Sequence, residues 1–191
     1  MKLKKAYFLQ SDVVKVACDL VGKVLVTKSG KILTSGIITE TEAYNGIVDK
    51  ASHAYGGRRT QRTETMFAEG GISYVYLCYG IHNLFNIVTN VKDVPHAVLI
   101  RAIMPLNGVE HILKRRNSEI LKKNLCVGPG KVSSALGITL KHNSVDLGGN
   151  KIWLEDDNIK PKNILKGPRI GVDYAGEDAK LPYRFFVEDK L

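Results

Sequence analysis

Cysteine is scarce in this sequence, and its spacing argues against two classes of protein. The three cysteines are Cys18, Cys78 and Cys126, an odd number with no CxxC pair among them. Secreted disulfide scaffolds and cysteine-rich zinc domains need more cysteines at closer spacing. The pattern favours a reducing compartment, so we expect a cytoplasmic protein. No apolar run reaches the roughly 20 residues that cross a bilayer, so we expect no membrane partner.

The motifs of common metal and cofactor sites are also missing. The five histidines form no HxxxH pair, and neither a dinucleotide GxGxxG loop nor a GxSxG elbow is present. Gly130-Lys131 is followed by Val132, where a Walker A loop requires serine or threonine. We therefore expect neither a metal nor a cofactor.

Positive charge is what the sequence has in excess. It contains 28 Lys and Arg against 19 Asp and Glu, a formal net charge of +9. Basic side chains on one face displace counterions from phosphates, so this excess suits a polyanionic partner. A solvated basic surface explains the charge equally well.

Hydrophobic periodicity predicts one α+β domain over residues 1–191. Strands dominate and do not alternate with helices, which favours a mainly antiparallel sheet. One helix is predicted after an N-cap at Ser11, and another over residues 130–136. A third is predicted after an N-cap at Asn107, and Ile120 and Leu121 are expected on the inner face of that helix. Strands are predicted over residues 23–28, 32–44, 74–78, 84–89, 98–104, 151–154 and 184–187. Residues 45–71 follow neither period and are predicted to form a functional loop.

One predicted strand carries carboxylates beside a phenol. Period-2 alternation places four residues on one face: Ile38, Glu40, Glu42 and Tyr44. A partly buried carboxylate beside aromatic rings has a raised pKa and can act as a general base. Two carboxylates on a solvent-facing strand are the simpler explanation when this strand is taken alone.

The long loop and the strand after it offer candidate nucleic-acid contacts. The loop contains Gly56 and Gly57, which let the backbone approach a ligand closely. It also supplies hydrogen-bond donors that suit phosphates at Arg58, Thr60 and Arg62. An exposed basic loop explains these residues equally well. Tyr79 lies at the predicted hairpin tip, where an aromatic ring can unstack a base pair. Tyr74 and Tyr76 share a strand face and suit stacking on a base, although tyrosines in a sheet are more often core residues.

A series of short motifs runs along the chain in a fixed order. It comprises Glu40-Thr41-Glu42-Ala43-Tyr44-Asn45-Gly46, His53, Gly56-Gly57-Arg58, Met66-Phe67, Tyr74-Val75-Tyr76, Tyr79-Gly80, Asn86, and residues 98–102, 126–131, 153–155, 169–172 and 184–187. In this order the motifs resemble the alkyladenine DNA glycosylase (3-methyladenine DNA glycosylase) family, from about residue 8 to the C-terminus. The resemblance implies a bare catalytic domain with a curved antiparallel sheet, flanking helices and a β-hairpin that protrudes into the DNA minor groove.

The resemblance also implies roles for individual residues. Glu42 is expected to activate a water as general base, and Arg101 to help hold that water. Tyr79 is expected to fill the gap left by a flipped nucleotide, with Met66 beside it in the groove.

A base-binding pocket is implied as well. Tyr44 and Tyr76 are expected to sandwich the flipped base, while His53 meets its edge. Asn86 is expected to clash with the 2-amino group of guanine. The residue types themselves predict the DNA-backbone contacts, which are Arg58, Thr60 and Arg62 in the loop and Lys131 at the glycine-containing helix entry.

The implied activity is base-excision repair by a monomer that acts on duplex DNA. The enzyme is expected to flip alkylated or deaminated purines and to hydrolyse the glycosidic bond without lyase activity. The expected substrate class comprises 3-methyladenine, 7-methylguanine, hypoxanthine and ethenoadenine. The sequence departs from eukaryotic members at residues 47–50, Tyr55, residues 63–65 and His82, which affects lesion preference. Two alternatives stay open: a non-catalytic DNA- or RNA-binding domain, and a nucleoside or RNA hydrolase.

Overall fold

An antiparallel sheet of eight strands organises the structure, a computed structural model that describes residues 1–188. The strands are β1 Val24–Ser29, β2 Ile32–Tyr44, β3 Ser73–Cys78, β4 His82–Thr89, β5 His96–Asn107, β6 Ile152–Glu155, β7 Leu165–Gly167 and β8 Arg184–Phe186. They lie in the order β3-β4-β5-β2-β1-β6, with β8 paired to the second half of β2 and β7 paired to β8. All these pairs are antiparallel, which confirms the predicted α+β fold; β7 was not predicted.

The two faces of the sheet are covered differently. The helices are α1 Lys5–Phe8, α2 Val13–Leu20, α3 Val109–Arg115 and α4 Pro129–Leu136. On the face packed by α2 and α4, alternate strand residues form the main core, among them Val75, Phe85, Ile87, Val98 and Ile100. Residues 45–71 cover the opposite face, where Met66 and Phe67 pack against β3 to β5. Strand alternation therefore directs a second set of side chains toward this loop.

The long loop was predicted correctly as a segment without regular helix or strand. It contains three short 3₁₀ helices, Gly46–Val48, Tyr55–Gly57 and Glu64–Phe67. Further 3₁₀ helices span Leu140–His142 and Asp173–Lys180.

Two predicted helix N-caps are wrong by one residue. Asp12, not Ser11, caps α2, because its carboxylate accepts from the backbone N–H groups of Val14 at 3.0 Å and Lys15 at 2.9 Å. Gly108 precedes α3 in the left-handed conformation, which glycine adopts without strain. Asn107 is still part of β5, and its amide donates to Ser35 Oγ at 2.9 Å instead of capping the helix.

The prediction that Ile120 and Leu121 lie on the inner face of α3 is also wrong. Helix α3 ends at Arg115, so Ile120 and Leu121 fall in the connection after it and are exposed. The buried residue of the helix is Ile112.

The pairing of β2 with β5 shifts register at three places, and two of these shifts flank Glu40. Ile38 pairs with Ile103 and Glu40 with Ala102, which leaves Thr39 as an extra residue in β2. Thr41 then pairs with Ile100, which leaves Arg101 as the extra residue in β5. Because a bulge re-aims the side chains beside it, strict alternation fails here, and Ile38 lies in the helix-side core. The prediction that Ile38 shares a face with Glu42 is therefore wrong.

Within residues 1–188, every helix falls short of the length or apolar character that a membrane span requires. Cys18, Cys78 and Cys126 all carry free thiols.

Candidate active site

A cavity of about 530 Å³ opens on the loop-covered face of the sheet. Most of the residues predicted from the sequence line it, namely Tyr44, His53, Arg62, Met66, Tyr76, Tyr79, Asn86 and Arg101. The alternation of β3, β4 and β5 explains the grouping, because Tyr76, Asn86 and Leu99 point opposite to the helix-side core. Residues far apart in sequence thus meet in one pocket.

Glu42 lies directly behind the wall of this pocket. It is 0% exposed, since β2 runs between β5 and β8 at this point. One carboxylate oxygen, Oε1, accepts from the Ile170 backbone N–H at 2.8 Å, and the other, Oε2, accepts from the Tyr44 hydroxyl at 2.9 Å. Burial raises the pKa of Glu42, while Arg101 and these two hydrogen bonds oppose that rise. The result is a fixed, desolvated carboxylate with a strengthened affinity for protons.

Arg101 links Glu42 to a second carboxylate. Its Nε atom lies 3.3 Å from Glu42 Oε1 and donates to Glu40 Oε1 at 3.1 Å. Arg184 of β8 donates to the same Glu40 oxygen at 3.1 Å. The bulge at Arg101 lets this side chain line the pocket while remaining paired with both carboxylates.

Tyr44 is held from behind by a buried ion pair. The Arg169 guanidinium carbon lies 5.0 Å from the centroid of the Tyr44 ring. Arg169 forms a forked pair with Asp49, and both side chains are almost completely buried. Arg169 also donates to the Ala43 carbonyl at 2.9 Å, so the pair ties β2 to the segment that supplies Ile170. Burial and the neighbouring Glu42 carboxylate raise the pKa of Tyr44, which keeps its hydroxyl a donor.

His53 stands between two tyrosines of β3. Its Nδ1 lies 3.0 Å from the Tyr74 hydroxyl, and its ring meets the Tyr76 ring edge-on with centroids 4.7 Å apart. Burial and the charges of Arg62 and Arg58 lower the pKa of His53 to about 4. At neutral pH the ring is therefore uncharged and offers one nitrogen as an acceptor.

Asn86 lies on the pocket wall opposite the loop. Its amide nitrogen donates to the Tyr74 carbonyl at 3.2 Å, across the β3–β4 pair. The side chain is buried and fixed, so a group entering the pocket has to fit around it.

Tyr79 projects from the tip of the β3–β4 hairpin, as its position in the sequence predicted. Tyr79 and Gly80 both have positive φ, at 51° and 73°, which is the pattern of a type I′ turn. The Tyr79 side chain is 90% exposed although it borders the pocket. The hairpin therefore holds an aromatic ring in solvent beside the cavity.

The residues predicted to contact DNA lie in different surroundings. Met66 is 2% exposed and packs in a buried cluster beside the pocket, and its place in the DNA groove stays a prediction. Arg58 and Thr60 line a neighbouring cavity of about 420 Å³, and Arg62 borders both cavities. Lys131 lies in the first turn of α4, outside both cavities.

The sequence reasoning assigned no role to four residues that shape the site. Ile170 supplies its N–H to Glu42, Arg169 and Asp49 support Tyr44, and Tyr174 lines both cavities. The motif at residues 169–172 was part of the family pattern and could have marked Arg169 and Ile170. Nothing in the local sequence marks Tyr174.

These features define a class of site. Aromatic rings and a neutral imidazole suit a flat heterocycle, and a buried carboxylate beside an arginine suits proton abstraction from water. Among residues 1–188, no group of three His, Cys, Asp or Glu side chains is placed to hold a metal ion. The arrangement is that of a hydrolytic site for a planar ligand.

Comparison with known proteins gives the family. The profile of the methylpurine-DNA glycosylase family matches residues 7–191, and the chain belongs to that family. Membership makes it a DNA-repair hydrolase that cleaves N-glycosyl bonds.

Curated relatives cover nearly the whole chain. A protein of Chlamydia abortus is 48% identical over 189 residues, which is 98% of this chain and 99% of the relative. Relatives from Bacillus cereus, at 47% over 191 residues, and Clostridium perfringens, at 44% over 192 residues, each cover 95% of this chain and 93% and 94% of their own lengths. All three carry the provisional name 3-methyladenine DNA glycosylase.

Proposed function

We propose that this protein flips a damaged purine out of duplex DNA into the pocket and hydrolyses its N-glycosidic bond, leaving an abasic site. The single observation that carries the proposal is the buried Glu42 carboxylate, fixed by Tyr44 and Ile170 and paired with Arg101 beside an aromatic pocket. The names of the curated relatives support 3-methyladenine as a substrate. We extend the proposed class to related alkylated or deaminated purines.

Aromatic stacking explains why a damaged purine is favoured. The rings of Tyr44 and Tyr76 line the cavity and are proposed to lie on either side of the base. A cationic alkylated purine gains about 0.5–2 kcal/mol from each favourable cation–π contact and is already a good leaving group. A poorly paired base also costs less to flip. A neutral purine such as hypoxanthine gains less and has to be protonated before it leaves.

Glu42 is proposed to remove a proton from the attacking water. A base works best when its pKa lies near the working pH, and burial shifts the pKa of Glu42 in that direction. Glu42 is fully buried and its Oε2 accepts from the Tyr44 hydroxyl, so substrate binding has to bring a water within reach of the carboxylate. The water attacks the sugar carbon of an oxocarbenium-like transition state, and the nearby carboxylate stabilises that positive charge.

The side chains of the pocket support the proposal that the enzyme hydrolyses the bond without lyase chemistry. A lyase forms a Schiff base through an amine, and the residues described around the cavity include no lysine. Asn86 is proposed to exclude guanine, since its fixed amide occupies the wall where a 2-amino group has to fit.

The surface around the pocket suits double-stranded DNA. Tyr79 is proposed to enter the base stack as the purine leaves it, and Arg58, Thr60 and Lys131 to contact the backbone. The enzyme is proposed to act as a monomer on DNA in the cytoplasm, where its three thiols stay reduced.

A gel assay tests this proposal. The protein is incubated with end-labelled duplexes that carry one hypoxanthine or one 7-methylguanine, and half of each sample is then treated with alkali. We expect a break at the lesion in the alkali-treated half alone, and none in a matched undamaged duplex. Breaks without alkali indicate lyase activity.

Two further outcomes separate the alternatives. Tight binding without breaks in any duplex indicates a non-catalytic DNA-binding domain. Base release from a single-stranded RNA substrate, with intact duplex DNA, indicates an RNA hydrolase. Either outcome refutes the proposed activity.

A further inference from the structure

Arg62 points into the mouth of the pocket rather than along an outer DNA-binding surface. Its guanidinium carbon lies 4.8 Å from the centroid of the Tyr76 ring, a cation–π distance. Its Nη2 atom lies 3.4 Å from Nε2 of His53. One arginine side chain therefore engages the stacking surface and the edge-reading group of the pocket at once.

The contact with His53 fixes which ring nitrogen carries the proton. Arginine can only donate hydrogen bonds, so Nε2 accepts from Arg62 and the proton of the neutral ring lies on Nδ1. Nδ1 is then the donor to the Tyr74 hydroxyl, 3.0 Å away. Nε2 is left as the one acceptor that His53 can offer to a base, and Arg62 uses it.

We propose that Arg62 is a competing occupant of the base-binding position, which every flipped base has to displace. The inference deepens the proposed function and rests on it. It assigns Arg62 to specificity, in place of the backbone contact expected from the sequence. For a cationic purine the displacement is enforced, because two cations repel each other over the same ring.

Displacement requires only a side-chain rotation. The backbone of the loop is anchored by Thr63, whose hydroxyl accepts from the Thr60 N–H at 2.8 Å and donates to the Arg58 carbonyl at 2.9 Å. The Arg62 side chain itself is exposed, so solvent is available to the guanidinium once it leaves the pocket.

A competing occupant sharpens selectivity without touching the bond that breaks. It lowers the equilibrium constant for flipping by the same factor for every base. That factor is about 2 to 30, which corresponds to one cation–π contact that is solvent-exposed at the lower limit and desolvated at the upper. A lesion that fills the pocket completely is still excised at full rate. A well-paired base, for which the flipped fraction limits the rate, is excised more slowly by that factor.

One damaged base in two pairings tests this directly. Hypoxanthine pairs stably with cytosine and more weakly with thymine, so the chemistry is shared and only the flipping cost differs. Single-turnover excision at saturating enzyme removes differences in DNA affinity. We expect Arg62→Ala to accelerate excision opposite cytosine by about 2- to 30-fold, with a smaller gain opposite thymine.

The matched control is Arg58→Ala, which removes the same charge from the same loop at a residue without a Tyr76 contact. It is expected to weaken DNA binding and to leave the ratio between the two pairings as in the wild type. If Arg62→Ala gives rates equal to or below the wild type on both duplexes, the competing-occupant role is wrong. A fall in the salt dependence of binding by about one charge would then identify Arg62 as a phosphate contact.

A second measurement does not depend on catalysis. Free hypoxanthine is titrated into the protein without DNA by calorimetry, and Arg62→Ala is expected to bind it about 2- to 30-fold more tightly than the wild type. Equal or weaker binding contradicts the inference. If the wild type excises no lesion at all, the proposed function fails, while this titration still decides whether Arg62 competes for the pocket.

Discussion

Replacing Glu42 by glutamine separates the chemistry of the site from its stability. Glutamine has nearly the same shape, accepts from the Ile170 N–H through its oxygen and can donate to the Tyr44 hydroxyl through its nitrogen. It cannot take a proton from water. We expect Glu42→Gln to lower single-turnover excision by about 10²- to 10⁴-fold, the usual contribution of a general base, without weakening lesion binding.

The same substitution is expected to stabilise the protein. Burial raises the pKa of Glu42, so the folded state binds the proton more tightly than the unfolded state does. The charged carboxylate therefore costs stability at neutral pH, and this cost vanishes as the pH falls to the ordinary range of a carboxyl group, about 4.3. Each unit of the shift is worth about 1.4 kcal/mol, and about 1 kcal/mol corresponds to about 2–4 °C in Tm for a chain of this size.

Calorimetry at pH 7.5 and pH 4.0, which lie on either side of the ordinary carboxyl pKa of about 4.3, measures that difference. We expect Glu42→Gln to melt above the wild type at the higher pH and level with it at the lower. The control is Glu110→Gln, which changes an exposed carboxylate on α3 outside the pocket. Excision by Glu42→Gln at the wild-type rate removes Glu42 from the mechanism. A lower Tm at the higher pH refutes the argument from burial.

Three further predictions concern the hairpin, the buried ion pair and the imidazole. Tyr79→Ser is expected to weaken lesion affinity, because stacking of an aromatic ring on a base contributes about 1–3 kcal/mol; unchanged affinity in a gel-shift titration rules out the wedge role. Asp49→Ala is expected to lower the free energy of unfolding in urea by about 3–5 kcal/mol, since it leaves Arg169 buried and unpaired; a loss below about 1 kcal/mol contradicts this. The NMR titration of His53 is expected to have its midpoint near pH 4, so the stability that its neutral ring provides is complete above about pH 6.5 and is lost as the pH falls toward 4. A midpoint at the ordinary value for histidine contradicts its burial.

The sequence was sufficient for the parts of the site that follow local patterns. Alternation in β3 predicted that Tyr74 and Tyr76 share a face, and the Tyr79-Gly80 pair marked the hairpin tip. The grouping of Glu42, Tyr44, His53 and Asn86 came from the family resemblance, because these residues are brought together by strand pairing over long sequence distances.

What the sequence could not predict depends on register and on distant partners. The bulges at Thr39 and Arg101 carry no glycine or proline signal, yet they decide which side chains face the pocket. The burial of Met66 was not predicted, because its motif marks a position in the chain and not the depth of the side chain. The cap at Asp12 was missed because Ser11 and Asp12 are both good N-caps, and only the backbone geometry selects one.

A crystal structure of the Glu42→Gln protein with a duplex that carries one hypoxanthine tests the central claim most directly. We predict a purine outside the duplex, between Tyr44 and Tyr76, with its edge on His53 Nε2, the Arg62 side chain displaced and Tyr79 in the vacated stack. A duplex bound with its hypoxanthine still paired and stacked, and with Arg62 still on Tyr76, contradicts base flipping by this protein.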